Sequence, residues 1–121
     1  MNDRLEAANQ FIRVIASNGR KFFAYQHPDG IEIARFRKGE SGHIWFLNEW
    51  ERNWIYVSRY GPYRGFHHGG TLHSLVSALV EFIKSGKQLR ADWFDAKHWA
   101  YHDGTMNVVV VEGQKLGVIC A

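Results

Sequence analysis

Lys21-Phe22-Phe23-Ala24-Tyr25-Gln26, Ile31-Glu32-Ile33-Ala34-Arg35-Phe36-Arg37, His43-Ile44-Trp45-Phe46-Leu47 and Trp54-Ile55-Tyr56-Val57-Ser58 are four short runs dense in aromatic and β-branched residues. Such side chains pack well on a pleated surface, so each run predicts a strand. The breaks are His27-Pro28-Asp29-Gly30, Lys38-Gly39-Glu40-Ser41-Gly42 and Asn48 to Asn53. These are too short for a crossover connection, which makes the strands antiparallel neighbours in a meander. After a turn at Tyr60-Gly61-Pro62, Tyr63 to Phe66 adds a candidate fifth strand. In the second run Ile31, Ile33 and Arg35 share one face and Glu32, Ala34 and Phe36 the other, so the alternation does not say which face is buried.

Helices flank this block. Asp3-Arg4-Leu5-Glu6 has the form of a capping box, and Leu5, Ala8, Phe11, Ile12 and Ile15 follow at helical spacing, predicting a helix from Arg4 to Ser17 closed by Asn18-Gly19. Thr71 is the natural N-cap of a second, long amphipathic helix whose Leu72, Leu75, Val76, Leu79, Phe82 and Ile83 form a wide apolar stripe, with Gly86 at its end. The sheet is the expected partner of that stripe. Lys87 to Trp99 reads either as loop or as a short helix capped through Asp92 and Asp95. Asp103-Gly104 is a two-residue hairpin signal, so His98 to His102 and Thr105 to Glu112 are expected to pair as strands. A turn at Gly113-Gln114-Lys115 then returns the chain as Leu116 to Cys120, with Val108 to Val111 buried on both faces. The expected fold is a single α+β domain over residues 1–121. It has an antiparallel β-meander of four to five strands packed against one long amphipathic helix, an N-terminal helix and a C-terminal β-meander.

A chain of 121 residues suits one core. With 5 Trp, 5 Tyr and 8 Phe, it carries more large rings than so small an interior holds easily, so some must face outward. Cys120 has no second cysteine to pair with, which excludes a disulfide framework and points to a reducing compartment, by default the cytosol. No export or membrane segment is read, purely apolar runs such as Val108 to Val111 being far too short to span a bilayer. The formal charge of +3 and pI near 9.2 suit either nucleic-acid binding or ordinary solubility.

Seven histidines raise a metal hypothesis. His98 and His102 stand one turn apart on a helix but about 13 Å apart along a strand, too far to share an ion, and the strand reading removes the site. His67, His68 and His73 make an unconventional ligand set. Glu49 and Glu51 are read as solvated charge in a turn, Cys120 as an inert thiol, and no G-x-S-x-G turn is present. No catalytic residue, metal site or cofactor is assigned.

The segment singled out is Ser58 to Thr71. Arg59 and Arg64 are interleaved with Tyr60, Tyr63 and Phe66, a mixture that lets guanidinium groups meet phosphate while rings stack on bases. Gly69-Gly70-Thr71 opens a helix, where unpaired N–H groups favour an anion. Arg52, Trp50 and Trp54 extend the surface, and the binding set is Arg52, Trp54, Arg59, Tyr60, Tyr63, Arg64, Phe66, His67, His68 and Thr71. The plain alternative is that the glycines only turn the chain, Thr71 only caps, and the Tyr and Arg side chains line strand edges. Arg35, Arg37 and Lys38 read as a solvated face, becoming part of a binding stripe only if the sheet sets them beside Arg59 and Arg64. The leading partner is nucleic acid or a nucleoprotein; a host protein is the second, and a phosphate ester acted on by His67, His68 or His73 the third. An uncovered strand edge would permit a homodimer.

Asn18-Gly19-Arg20-Lys21-Phe22-Phe23, Tyr63-Arg64-Gly65-Phe66, Gly69-Gly70-Thr71-Leu72 and Ile83-Lys84-Ser85-Gly86-Lys87 resemble stretches of small uncharacterised proteins from bacteriophage and prophage accessory regions. The resemblance covers Phe11 to Leu89 and leaves the C-terminal third outside. It implies a host-takeover or anti-defence role in the bacterial cytosol, exercised by binding a host factor.

Overall fold

A computed structural model describes residues 3–18, 22–40, 42–57, 70–94 and 105–120. Helix α1 spans Arg4–Ala16 and starts where its capping residue predicts. The Asp3 carboxylate accepts from the N–H groups of Leu5 at 3.1 Å and Glu6 at 3.4 Å, filling donors that the first turn leaves without partners. At the other end the Asn18 amide donates to the Val14 carbonyl at 2.7 Å. Ala8, Phe11, Ile12 and Ile15 are fully buried along the inner stripe.

The strands are β1 (Ala24–His27), β2 (Gly30–Ile33), β3 (Phe36–Lys38), β4 (Ile44–Asn48) and β5 (Asn53–Tyr56). They form two small antiparallel sheets, a β1–β2 hairpin and a three-stranded sheet in the order β3-β4-β5. The run read as one strand, Ile31 to Arg37, is therefore two, although its middle stays bonded on both sides. Ala34 N–H donates to Phe23 O at 2.9 Å and Leu47 N–H to Arg35 O at 2.8 Å.

The division has a local cause. Phe23 has a φ of +70°, a left-handed conformation that a bulky side chain rarely adopts, and it takes the chain out of extended geometry just before β1. Pairing along the β1 edge therefore stops at Ala34. Two residues on, the side-chain amide of Asn9 stands in for the missing strand: its Nδ2 donates to Phe36 O at 3.0 Å, and Phe36 N–H donates to its Oδ1 at 2.6 Å. One helix side chain thereby satisfies both main-chain groups of a strand residue.

The core face is now fixed. Phe36, Phe46 and Ile55 lie in register across β3, β4 and β5 and are all buried, whereas Ile31 is 64% exposed. The Phe46 ring packs against Phe36 and Phe23, with centroids 5.1 and 5.9 Å away. Helix α1 packs against β3 and also against the two other helices among the described residues, so it, rather than the second helix, makes the principal helix–sheet contact there. That second helix, α2, spans Gly70–Ser85 and buries Leu75, Val76 and Leu79 in the common core. It begins one residue before Thr71, which makes Thr71 its second residue and not its N-cap. Arg4 of α1 closes its far end, donating to the carbonyls of Ile83 at 3.1 Å and Lys84 at 3.2 Å, where a cation suits the helix dipole. Gly86, at φ +82°, completes that end.

The C-terminal third departs from the strand reading. Thr105–Lys115 is helix α3, not a strand and turn, and Leu116 to Cys120 contributes only a parallel bridge between Ile119 and Leu89. Valine propensity loses to packing here: Met106, Val109, partly buried Val110 and Gly113 follow the i, i+3, i+4, i+7 pattern of a helix face. Val108 and Val111, expected to be buried, are each 46% exposed on the outer side. Gly113 lets this helix approach closely, since a Cβ there would lie 2.5 Å from Ile119 Cδ1 and 2.8 Å from Phe11 Cε1. Between α2 and α3 a 3-10 turn at Ala91–Trp93 follows Arg90 as its cap, and the rest of the expected loop or short helix, from Asp95 onward, lies outside the described residues. The paired strand His98 to His102, the candidate fifth strand Tyr63 to Phe66 and the closing glycine Gly19 lie outside the described residues. No helix among the described residues is long and apolar enough to cross a membrane.

These contacts have measurable consequences for stability. Asn9→Leu should lower unfolding free energy by about 2–3 kcal/mol in urea titrations, because it strands two main-chain groups at once. Asn9→Asp should sit closer to the wild type at pH 4 than at pH 7, since only a protonated carboxyl reproduces the donor–acceptor pair of the amide. Gly113→Ala should cost about 1–3 kcal/mol by overpacking, outweighing a helix-propensity gain of roughly 1 kcal/mol, and lower Tm in thermal melts.

Candidate functional site

The β4–β5 loop, Glu49 to Arg52, is built by its flanking residues. Asn48 Oδ1 accepts from Trp50 N–H at 3.1 Å, and Asn48 O accepts from Arg52 N–H at 2.8 Å, closing the turn. Arg52 then takes a φ of +57°, unusual for a non-glycine residue. That conformation sets its side chain against the β1–β2 turn, where it meets Asp29 Oδ1 at 2.7 Å, Asp29 Oδ2 at 3.1 Å and Glu32 Oε1 at 3.1 Å. His27 ties the same loops together: its Nε2–H donates to the Glu49 carbonyl at 2.7 Å, which fixes the tautomer because a carbonyl can only accept. Above this seam Tyr25 stacks obliquely on Trp50, with centroids 4.9 Å apart, and Trp50 is 51% exposed. Glu49, read from the sequence as solvated, is 1% exposed, while Glu51 stays at the surface.

The hydrogen bonds from Arg52 hold the Asp29 carboxyl below the ordinary aspartate range, and Asp29 in turn raises the guanidinium. Arg52 is thus an arginine already engaged by two carboxylates.

A second cluster lies on the outer face of the three-stranded sheet. Strand register sets Arg37, Trp45 and Tyr56 side by side, with Leu47 opposite Trp54 in the adjacent row. The Arg37 guanidinium lies 4.3 Å from the centre of the Trp54 ring and that of Arg35 lies 5.6 Å away, both within cation–π range. Trp45 and Tyr56 are 5.3 Å apart, and Tyr56 meets His43 edge-on at 5.1 Å, with its hydroxyl 3.2 Å from His43 Nδ1. Arg35 is paired with Glu32 at 2.9 Å, whereas Arg37 makes no ion pair among the described residues. Arg37 and Tyr56 are exposed, and Trp45 and Trp54 are half-buried.

Of the sequence-assigned binding set, Arg52 falls in the loop seam and Trp54 on the sheet face, two different surroundings. Thr71 is in the first turn of α2, preceded by Gly70 as the first helical residue. Arg59, Tyr60, Tyr63, Arg64, Phe66, His67 and His68 lie outside the described residues, as do His98 and His102. Sequence reasoning treated Arg35 and Arg37 as a solvated face and did not select Trp45, Tyr56 or His43. The signal that joins them is the strand register, which puts every second residue of neighbouring runs on one face. No group of three or more His, Cys, Asp or Glu among the described residues could hold a metal ion.

Carboxyl NMR titration should show Asp29 with a midpoint below that of an ordinary aspartate, moving up in Arg52→Gln. Since the folded pKa is depressed, the contribution of this pair to stability is present at neutral pH. It is lost as pH falls through the Asp29 value, below about pH 4.

The chain is 32% identical over 111 residues to the SPbeta prophage-derived uncharacterized protein YoqU of Bacillus subtilis (strain 168), covering 87% of this chain and 75% of that relative. No solved structure matches it significantly. The YoqU family model matches residues 1–121, from the first residue of the sequence to the last. On both grounds, the family match and the relative, the chain belongs to the YoqU family.

Proposed function

We propose that this protein binds nucleic acid through the outer face of β3, β4 and β5, without catalysing a reaction. The observation that carries this reading is the Arg37 guanidinium, 4.3 Å from the Trp54 ring and without a carboxylate partner among the described residues. Stacking fixes the plane of the guanidinium and leaves its N–H edge free to meet a phosphate. Trp45, Tyr56 and His43 continue the same surface with rings that can meet bases. The mild basic balance supports this, with Arg59 and Arg64 following β5 in the sequence. The prophage origin of its relative suggests the setting, the cytosol of a bacterium carrying or infected by a phage.

A second reading, capture of a host protein, is favoured by a different observation. Tyr25 and Trp50 form an exposed ring pair on the loop seam, and Ile31 on the same hairpin is 64% exposed. Exposed aromatic anchors of this kind often dominate protein interfaces.

Fluorescence anisotropy with labelled oligonucleotides in low salt separates the two. Nucleic-acid binding should weaken as salt rises, lose about one unit of salt slope in Arg37→Ala, and be indifferent to Trp50→Ala. Absence of binding at low salt, or loss only in Trp50→Ala, would remove the sheet-face reading.

A further inference from the structure

We infer that the ligand of the sheet face is a single strand and not a duplex, an inference that rests on the nucleic-acid reading above. Three properties of the face lead there.

The first is shape. Neighbouring strands lie about 4.8 Å apart, so the outer strands of β3-β4-β5 are roughly 10 Å apart before any side chain is added. A sheet presented by its face is therefore too broad for a major groove of about 12 Å, which admits a helix or a two-stranded ribbon. Helix α1 packs on β3 with Asn9 fastened to Phe36, which leaves the opposite face of the sheet as the one considered.

The second is charge. A duplex-binding surface that draws its affinity from counterion release neutralises about 6–10 phosphates. On this face Arg35 is held by Glu32 at 2.9 Å, which leaves Arg37 as the arginine without an acidic partner among the described residues. Counterion release from one or two contacts supplies too little affinity for a duplex and must be joined by another interaction.

The third is the rings, which supply that interaction. Tyr56 on β5 and Trp45 on β4 lie on one side of the sheet, with Tyr56 43% exposed, beside the Trp54 ring that Arg37 overlies. An aromatic side chain can stack only on a base whose face is free. Duplex bases are covered above and below by their neighbours, whereas a single strand can splay its bases onto a flat platform.

The test compares a strand of about 12 nucleotides with the same strand annealed to its complement, as DNA and as RNA, by anisotropy at about 50 mM salt. An abasic strand of equal length isolates the phosphate contribution. The expected result is single-strand binding at least about tenfold tighter than duplex, with a shallow salt slope of roughly 1–2 and little binding of the abasic strand. Trp54→Ala, which removes the ring that holds Arg37 in place, should weaken binding about 5- to 100-fold, and Trp54→Phe, which keeps a ring in the sheet, should restore much of it. Far-UV circular dichroism checks folding, and Tyr56→Ala provides an independent, more exposed ring deletion. A single strand that outcompetes its own duplex supports the inference whether it is DNA or RNA. Equal or tighter duplex binding, or abasic binding equal to that of the natural strand, overturns the inference while leaving nucleic-acid binding intact. Failure of every oligonucleotide to bind overturns both.

Discussion

The structure turns on an amide that behaves as a strand. Asn9, on α1, accepts from the N–H of Phe36 and donates to its carbonyl, at 2.6 and 3.0 Å. A buried strand residue without partners would carry two costly groups, and a side-chain amide answers both. This single contact fixes the helix against β3, allows the chain at Phe23 to leave the sheet, and sets the level at which Phe36, Phe46 and Ile55 face the helices. Because α1 also holds the C-terminus of α2 through Arg4 and takes Gly113 of α3 against Phe11, the same helix orients α2, α3 and the edge of β3.

The contact also determines which face of the sheet is left for partners. Once Ala34 and Phe36 point inward, Arg35 and Arg37 must point outward, and register brings them over Trp54. The two arginines then differ in chemistry through their neighbours. Arg35 meets Glu32 across a short span, as Arg52 meets Asp29 and Glu32, so both guanidinium groups share charge with carboxylates. Arg37 keeps its charge for the outside. Net charge conceals this distinction, since 15 basic and 12 acidic residues describe any number of arrangements.

Much of this was legible in the sequence. Asp3 with the spacing of Ala8, Phe11, Ile12 and Ile15 located α1 to within a residue, and the aromatic runs located the strands of both sheets. The resemblance to prophage proteins agrees with the family match. Three features were hidden for physical reasons. Helix α3 was masked by four consecutive valines and an Asp-Gly pair, local β signals that the 106, 109, 110, 113 spacing overrides once Phe11 and Ile119 are in place. Asn9 looks like any polar residue beside an apolar stripe, because its partner lies 27 residues away. Glu49 reads as loop charge, yet the His27 and Arg52 contacts draw its loop onto the neighbouring turn and bury it. The candidate surface was half-visible: Trp54 was chosen, but Arg37, Trp45 and Tyr56 acquire meaning only from cross-strand register.

The outer face of β3, β4 and β5 is the surface we propose for binding, on a sheet whose free β3 edge is clamped by Asn9. Its role is read most directly by an NMR titration of nitrogen-labelled protein with a short single-stranded oligonucleotide, following the signals of the 5 indole N–H groups and the arginine side chains. The Trp45 and Trp54 indoles and the Arg37 guanidinium should shift together while the Trp50 indole stays in place. Shifts centred on Trp50 and its loop, with Trp45, Trp54 and Arg37 unmoved, would place the contact elsewhere and contradict this role for the sheet.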